Sequence, residues 1–572
     1  MARRAIPAST LRASHRVVRP FLRAAMRLDE FFDTVKGLTP KQRGIIVDQA
    51  ILLLEGFYAH LPLKRAMYAI DPLQRLRLLR HRLTQIKGDR QFHAEMTEIL
   101  TSLHDLHTNY LLPAPFNYSY AWLPFKVEAY WDGNRRKYLV TRVADWFARG
   151  RFRKGVEILN WNGIPIERAV EMVGARSAGS NLAARHAQGL LRLTARPLIV
   201  LPPPDEEWVI VGYRTPRGRK HEIRVEWLVT ELPPATDVVA PRGLSLVTDR
   251  IQQIRKFLFA PETVELEKKM AAVPRKGSRR AASRRASRLK GPQTTMPGIF
   301  RVAEVKTRHG TFGYIRIFSF DVSDSDELVS EFIRLVRQLP QNGLIIDVRD
   351  NGGGRAWAAE RLLQLISPQH PIEPERLYFI NTSRTLQLCH LQKRNPLLGP
   401  LGLSPWIESI HRSMETGAMY SASFPFTDPK TCNAIGRLYR GRVIVVTNAL
   451  SYSATEFFAA GFQDHGGRIL GVDNATGGGG ANVKTHDELR GYFKGARNSP
   501  FKALPRGAGL RVAYRRSLRV GPQIGTDVED FGVIPNYFHS MTQNDLLKGN
   551  VDLINCAASL LVRKDFLSRP GI

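Results

Sequence analysis

A serine at the predicted start of a helix is the residue of this chain best suited to chemistry. Ser453 follows an apolar run at 443–446 and a polar turn, and apolar residues then recur at three- and four-residue spacing. This pattern predicts a buried strand, a turn and a helix that begins beside the serine. The N–H groups and dipole at a helix N-terminus favour negative charge, as a nucleophile and an oxyanion require. A serine that only caps the helix fits the same pattern, because serine is a common N-cap.

Two runs of contiguous glycines, 352–354 and 477–480, follow buried apolar segments. A phosphate-binding loop has Lys and then Ser or Thr after its last glycine, and a dinucleotide-binding loop has spaced glycines. Here the runs are followed by Arg-Ala and by Ala-Asn. Contiguous glycines let a backbone approach a substrate closely and aim N–H groups at it. We therefore expect oxyanion donors from these runs and no nucleotide site.

The elements that must position these residues form several units, because 572 residues predict two to four domains. Capping signals such as Thr39-Pro40 and Asp71-Pro72 predict helices in the region 28–117, which contains His107. Residues 118–232 have the alternation and turn signals of β structure. From 298 to 572, strands and helices alternate as in an α/β domain with buried, mostly parallel strands.

The overall charge of +32 favours contact with acidic partners but does not bear on the fold. Part of this charge lies at 268–290, a run with many cations and no acid inside the connecting segment 233–297. The run predicts a flexible linker, and contact with an acidic partner or a nucleic acid is the alternative. Base stacking is not expected, because no aromatic residue interrupts the run.

The termini, cysteines and hydropathy give expectations about location. Residues 1–27 are basic and lack the apolar region of a secretory signal, so a disordered tail is predicted, with a transit peptide as the alternative. Three widely spaced cysteines predict neither a disulfide framework nor a zinc site, and the cytoplasm is the predicted location. No apolar run of about 18 residues occurs, so no membrane span is expected.

The β segment resembles a PDZ domain. The match is carried by the motif around 155–165, in which the shared positions are Gly155, Ile158, Leu159, Asn162, Gly163 and Pro165. PDZ domains bind peptide termini by strand addition. The resemblance implies either a working peptide groove or a PDZ fold whose groove is occupied or lost.

The glycine and serine motifs together resemble those of the tail-specific, or C-terminal-processing, serine peptidases of the S41 type. The matching stretches are LIIDVRDNGGG at 344–354 and VTNALSYSATEFFAAGFQDHGGRILG at 446–471. The resemblance implies an α/β core of the crotonase-like (ClpP/crotonase) type, an N-terminal helical region and an inserted PDZ-like β domain. It implies that Ser453, three residues before Glu456, is the nucleophile.

The chain differs from most of these peptidases at the general base. Their lysine follows the serine by about 25 residues, where this chain has Gly478 or Gly479. A second branch, which includes the tricorn core protease, uses a His–Glu pair, and this chain is similar to it at His107 and Glu529. The resemblance then implies a Ser453–His107–Glu529 triad, an oxyanion hole of the Ala454 and Gly353 N–H groups, and no metal or organic cofactor.

The expected function is therefore that of a serine endopeptidase acting on a peptide or protein substrate. A PDZ-like module that binds peptide termini is part of this expectation. Three alternatives stay open: an inactive binding or scaffold protein on the same fold, a nucleic-acid-associated protein that uses 268–290, and a crotonase-type acyl-CoA enzyme. The sequence does not set the oligomeric state.

Overall fold

The computed structural model describes residues 6–7, 14–147, 150–231, 245–262, 264–265, 292–393, 402–496 and 498–566. The basic run 268–290 and the greater part of the segment 233–297 lie outside the described residues.

The N-terminal region is mostly helical, and side-chain caps begin two of its helices. Residues 19–27, predicted to belong to a disordered tail, instead form a helix and a strand. Thr39 accepts a hydrogen bond from the Gln42 N–H, and Asp71 accepts from the N–H groups of Leu73 and Gln74. A proline follows each cap, where a missing N–H costs nothing. The elements are α1 Arg19–Arg23, β1 Ala25–Arg27, α2 Leu28–Asp33, α3 Pro40–Phe57, α4 Leu61–Tyr68, α5 Pro72–His81 and α6 Asp89–Thr101.

Of the helices that the structure describes, none is long and apolar enough on its own to cross a membrane. The bent pair Pro40–Phe57 and Leu61–Tyr68 meets the criteria of length and composition when taken together.

A β-rich unit follows the helical region. Its elements are β2 Asn109–Leu111, β3 Ser119–Trp122, β4 Phe125–Asp132, β5 Arg135–Val143, β6 Glu157–Trp161, β7 Ile164–Pro165, α7 Ile166–Ala175, α8 Leu182–Arg192, β8 Ala195–Pro197, β9 Trp208–Arg214, β10 Lys220–Glu226, β11 Leu228–Glu231 and α9 Ser245–Phe259. One sheet has the order β10-β9-β6-β5-β4, with β7 beside β6, and a second has the order β1-β11-β3-β8. Strands β3 and β11, near the two ends of this unit, pair with each other. The chain therefore enters and leaves the unit at neighbouring positions.

The α/β core surrounds a six-stranded sheet of order β12-β13-β14-β17-β18-β21. Its elements are β12 Phe300–Thr307, β13 Gly310–Ile317, α10 Ser325–Gln338, β14 Leu344–Asp347, α11 Ala356–Ile366, β15 Arg376–Tyr378, α12 Ser383–Leu391, α13 Ser404–Thr416, β16 Phe424–Pro425, α14 Pro429–Cys432, β17 Val443–Thr447, α15 Ala454–Asp464, β18 Arg468–Gly471, β19 Ala481–Thr485, α16 His486–Tyr492, β20 Gly509–Leu518, β21 Tyr537–Phe538, α17 Gln543–Leu547 and α18 Val551–Val562. From β13 to β21 neighbouring strands pair in parallel, and β12 pairs antiparallel with β13.

Helices cover both faces of this sheet, and this explains why its central strands are apolar throughout. Ile346 and Val445 pack in the cluster that contains α10, α11 and α15, whereas Ile345 and Ile444 pack against α18. Successive side chains of a strand point to opposite faces, so a strand buried on both faces shows no polar alternation.

A second sheet connects the helical region to the core. Its order is β16-β15-β20-β19, and β2 pairs antiparallel with β20. Strand β2 begins two residues after His107, so this pairing fixes the end of the helical region against the core.

Candidate active site

Ser453 lies at a sharp turn between strand β17 and helix α15. Its backbone has φ 57° and ψ −123°, a conformation that residues with a side chain rarely adopt. The Ser453 N–H donates to a carboxylate oxygen of Glu456 at 3.0 Å. The turn presents the hydroxyl at the N-terminus of α15, as the sequence predicts.

His107 lies beside this hydroxyl. Its Nε2 atom is 3.1 Å from Ser453 Oγ, although the two residues are 346 positions apart. The imidazole is fully buried, and its ring centre lies 4.9 Å from that of Tyr452. The structure therefore brings the predicted nucleophile and the predicted base within hydrogen-bonding distance.

Asp105 holds the backbone that carries His107. Its carboxylate accepts from the His107 N–H at 2.6 Å and from Thr108 Oγ1 at 2.8 Å. Thr108 Oγ1 in turn accepts from the Ala513 N–H of β20 at 3.1 Å. Through these contacts the loop after α6 is fixed to the same sheet that pairs with β2.

Glu529 is buried near His107 but makes no hydrogen bond to it in this structure. His107 Nδ1, the nitrogen that the acidic member of such a triad ordinarily binds, has no hydrogen-bond partner among the described residues. Glu529 Oε1 lies 2.8 Å from Lys64 Nζ and forms an ion pair with it, but the angles between the two groups are not those of a hydrogen bond. Its Oε2 lies 3.8 Å from His60 Nε2. The predicted carboxylate is thus present, and its closest partner is a lysine from α4.

The groups behind His107 include a set that could ligate a cation. Donor atoms of His60, Asp105 and Glu529 lie within 4.8 Å of one another, and all three residues are buried. The Lys64 ammonium already occupies a place beside Glu529 and supplies positive charge there. No local sequence pattern indicates this cluster, because its members come from three distant segments.

Burial shifts the titration of these groups. It lowers the pKa of the His107 imidazole well below its ordinary value, and the positive charges of Arg511 and Lys64 lower it further. Burial raises the pKa of Glu529, which Lys64 opposes and which Asp105 and Asp530 reinforce. His107 is therefore neutral near pH 7, the state that a general base requires.

Glu456 connects the nucleophile turn to the second glycine run. Its carboxylate accepts from Thr476 Oγ1 at 2.6 Å and from the N–H groups of Gly478 and Gly479 at 2.7 and 2.8 Å, besides that of Ser453. Burial raises the pKa of Glu456 to about 7, and these hydrogen bonds oppose the shift. Gly478 and Gly479, which the resemblance aligns with the lysine of the Ser–Lys peptidases, therefore bind Glu456 through their N–H groups.

The N–H groups near Ser453 differ in their freedom to bind an oxyanion. Among the described residues the N–H of Ala454 has no acceptor, and neither has that of Gly352. The N–H of Gly353, the predicted donor, instead donates to Asn351 Oδ1 at 3.0 Å. Gly353 has a steric role: a Cβ atom there would lie 2.7 Å from Ser453 Cβ and 2.9 Å from Ala454 N.

Two stretches of the chain match models of known protein families. Residues 311–500 match the model of peptidase family S41, and residues 119–234 match the model of a PDZ domain. The α/β core is an S41 peptidase domain. The chain therefore contains an S41 serine peptidase domain, and a PDZ domain lies between the helical region and this core, as the sequence resemblance implied.

Solved structures share the fold of this chain over almost its whole length. The crystal structure of mature CPAF is 17% identical, covers 93% of this chain and 99% of its own, and superposes with a TM-score of 0.63. Mature CPAF complexed with lactacystin is also 17% identical, with 91% and 99% coverage and a TM-score of 0.60. None of the curated proteins matches the chain in sequence at a significant level.

The family match does not extend to every residue of the candidate site. His107 and Glu529 lie outside 311–500, and so do His60, Lys64 and Asp105. Sequence analysis did not identify the last three, because His60 and Lys64 lie at the start of and within an ordinary helix and Asp105 lies in the loop after α6. A local sequence pattern does not indicate which polar residues are buried against distant parts of the chain.

Proposed function

We propose that this chain is a serine endopeptidase that hydrolyses peptide bonds with Ser453 as nucleophile, His107 as general base and Glu529 as the acidic member of the triad. The observation that carries the proposal is the 3.1 Å separation of Ser453 Oγ and His107 Nε2 at the N-terminus of α15. A hydroxyl is a weak nucleophile until an adjacent base accepts its proton.

The reaction follows from this contact. His107 Nε2 takes the hydroxyl proton while Ser453 Oγ bonds to the carbonyl carbon of the substrate. The tetrahedral intermediate collapses to an acyl-enzyme when His107 returns the proton to the leaving amine. A water molecule, deprotonated by the same nitrogen, then releases the acid and restores the serine.

The oxyanion of the intermediate needs donors aimed at it. We assign the N–H of Ala454 and, in place of Gly353, that of Gly352, because the Gly353 N–H is used by Asn351. Removing one such donor typically costs about 10²- to 10³-fold in kcat. The dipole of α15 favours negative charge at the same point.

In its ionised form, Glu529 favours the protonated form of His107 that exists during the reaction. The carboxylate has no hydrogen bond to Nδ1, so its effect in this geometry is electrostatic. In a buried site the effect of a charge is large, because the effective dielectric constant is far below that of water.

We propose peptide or protein substrates, and the PDZ domain supports this class. Strand addition needs a free edge, and β4 is one edge of the PDZ sheet. Helix α8 packs against β4, and the Trp131 N–H on β4 donates to the Met541 carbonyl of the core at 2.8 Å. A peptide that binds at β4 must therefore displace these contacts.

A fluorophosphonate probe on the purified protein tests the proposal. We expect one label per chain, on Ser453, together with hydrolysis of an unstructured protein such as casein. CPAF is similar in fold and forms a complex with lactacystin, so this compound is a second probe. The Ser453→Ala variant should lose label and hydrolysis, whereas Ser559→Ala, which removes a hydroxyl bonded only within its own helix, should keep both. A folded wild-type protein that does not label would favour the inactive binding protein.

A further inference from the structure

Two turns at one edge of the core sheet carry the groups of the proposed reaction. Strands β14 and β17 are parallel neighbours, so the turns that follow them leave the sheet side by side. The oxyanion loop, residues 350–354, contains the Gly352 N–H, and the nucleophile turn, residues 448–453, is followed by the Ala454 N–H. An oxyanion that accepts from both N–H groups requires a fixed separation between the two turns.

Each of these turns contains a residue whose backbone is in the left-handed region. Asp350 has φ 60° and Ser453 has φ 57°. A residue with a side chain keeps such a conformation only where the surrounding contacts hold it, although aspartate and asparagine tolerate it better than most residues. The placement of both turns therefore depends on the hydrogen bonds that are made around them.

The side chain of Asn448 bonds to both turns. Its Oδ1 accepts from the Asp350 N–H at 2.9 Å, and its Nδ2 donates to Asp350 Oδ1 at 2.8 Å. The same Oδ1 accepts from the Leu450 N–H, within the nucleophile turn, at 3.2 Å. These bonds fix the orientation of the amide, because the opposite orientation would place its NH₂ group against two N–H donors.

Asp350 is held from its other side by Arg316, whose Nη2 donates to Asp350 Oδ2 at 3.2 Å. Burial raises the pKa of Asp350, but nearby cations, Arg316 above all, and the hydrogen bond from Asn448 outweigh it and lower that pKa below its ordinary value. The ionised carboxylate only accepts hydrogen bonds, so both of its partners must donate. The Tyr452 N–H also donates to the Asn351 carbonyl at 3.0 Å, so a bond between the two turns is left when Asn448 is changed.

We propose that Asn448 is a positioning residue of the peptidase site, whose amide joins the oxyanion loop to the nucleophile turn and so sets the separation of the Gly352 and Ala454 N–H groups. This inference rests on the proposed function. Asn448 acts through Asp350 and not on the substrate. Because the oxyanion forms only during the reaction, a displaced N–H group should lower the rate of the chemical step and leave binding almost unchanged.

The test exchanges the two side chains, which are nearly equal in size. In Asn448→Asp two carboxylate oxygens face each other. In Asp350→Asn the new NH₂ group faces either Arg316 or the Asn448 NH₂ group, so one contact has two donors. The double variant Asn448→Asp/Asp350→Asn satisfies every contact, because the new amide donates to the new carboxylate and accepts from Arg316.

The measurement is the rate of labelling by a fluorophosphonate, whose phosphoryl oxygen takes the place of the oxyanion. For each single variant we expect the maximal labelling rate to fall by roughly 10²-fold, as for a displacement of about 1 Å. The half-saturating probe concentration should change by less than about threefold, because binding is not affected. In the double variant the maximal rate should return to within about tenfold of the wild type, and hydrolysis of casein should follow the same order.

Asn433→Asp is the matched control. Asn433 Oδ1 accepts from the Ile372 N–H at 2.8 Å, and its Nδ2 donates to the Ile372 carbonyl at 2.9 Å, so both ends of this amide also hold a backbone segment of the core. The substitution places a carboxylate against a carbonyl oxygen, outside both turns. It should lower the melting temperature and leave the maximal labelling rate at the wild-type value.

Three results would overturn the inference: a folded Asn448→Asp that labels at the wild-type rate, a double variant no faster than Asn448→Asp, or an equal loss in Asn433→Asp. If Asn448→Asp does not fold, Asp350→Asn is compared with the double variant by the same criteria. The proposed function is judged separately, from the wild type and Ser453→Ala. A wild type that does not label, or hydrolysis that persists in Ser453→Ala, would overturn that function together with the role of Asn448.

Discussion

Ser180 Oγ, in the PDZ domain, donates a hydrogen bond of 2.7 Å to the carbonyl oxygen of Gly478 in the peptidase core. The neighbouring Asn181 Nδ2 donates to the Thr476 carbonyl at 2.9 Å. Both acceptors belong to the segment 476–479, whose N–H and hydroxyl groups donate to Glu456, and Glu456 accepts from the N–H of Ser453. The PDZ domain is thus connected to the nucleophile through a short chain of hydrogen bonds.

This connection predicts that Ser180→Ala reduces turnover. The loss of one buried hydrogen bond should cost about 1 kcal/mol of stability, and the glycine run should shift relative to Ser453. We expect kcat to fall by about one order of magnitude with little change in KM, since substrate contacts are unaltered. Steady-state kinetics on a peptide substrate measure this.

Ser177→Ala is the control for this prediction. Ser177 is equally buried, but its hydroxyl donates to the Val173 carbonyl within the PDZ domain at 2.9 Å. If both variants lower kcat equally, the effect arises from the PDZ fold in general and not from the contact with Gly478.

Gly353→Ala should inactivate the enzyme. The backbone at Gly353 has φ +103°, where a side chain is strained, and the added Cβ would lie 2.7 Å from Ser453 Cβ and from the Tyr452 carbonyl oxygen. The nucleophile turn must shift, and a displacement of about 1 Å can cost 10²-fold in rate. Fluorophosphonate labelling rates measure the loss independently of substrate binding. Gly491→Ala, on helix α16 with open space around its Cβ, should label at the wild-type rate.

The acid limb of the pH–rate profile should lie lower than for an exposed histidine. Only neutral His107 can accept the serine proton, so activity disappears as the pH falls through its pKa. Burial, Arg511 and Lys64 lower that pKa well below 6.5, so kcat/KM should stay on its plateau through pH 6.5. A midpoint above 7 for the acid limb of kcat/KM would assign the base to another group.

Lys484→Ala should leave the activity almost unchanged. Lys484 Nζ donates to Tyr492 Oη at 2.9 Å and pairs with Glu488 at 3.3 Å, so its partners are on α16 and not at Ser453. Burial lowers its pKa, but Tyr514, Glu488 and Tyr492 raise it above the ordinary value, and a charged lysine is no base near pH 7. We expect a small loss of melting temperature and wild-type kcat/KM. An inactive but folded variant would place this protein in the Ser–Lys class.

The parts of the fold that could be predicted from sequence are those with a local signal. The apolar run at 443–446 became strand β17, Val443–Thr447, because both faces of the sheet are covered by helices. Caps at Thr39 and Asp71 are formed as expected, since a cap depends only on residues within the next turn. Ser453 was identifiable for the same reason: strand, turn and helix lie next to one another in sequence.

The surroundings of the site could not be predicted, because they depend on distant contacts. Lys64 lies in LPLKRAMY, where a lysine typically faces solvent, and its partner Asp530 is 466 positions away. Likewise, the sequence motif does not indicate that the Gly353 N–H donates to the Asn351 side chain. The expected hydrogen bond from His107 Nδ1 to Glu529 assumed the usual arrangement of a triad, and in this fold Lys64 holds the carboxylate instead.

The assignment of the three triad residues predicts strongly non-additive losses. Ser453→Ala and His107→Ala should each abolish nearly all hydrolysis, and the double variant should be little worse than either, because the two residues act as one unit. Glu529→Gln keeps the shape of the side chain but removes the charge that favours the His107 imidazolium, so we expect a loss of roughly 10²- to 10⁴-fold. Melting curves of the three variants must show folded protein, and single-turnover acylation by an ester substrate separates the chemical step from product release. If His107→Ala acylates at the wild-type rate, or if the two single losses multiply in the double variant, His107 is not the base that activates Ser453.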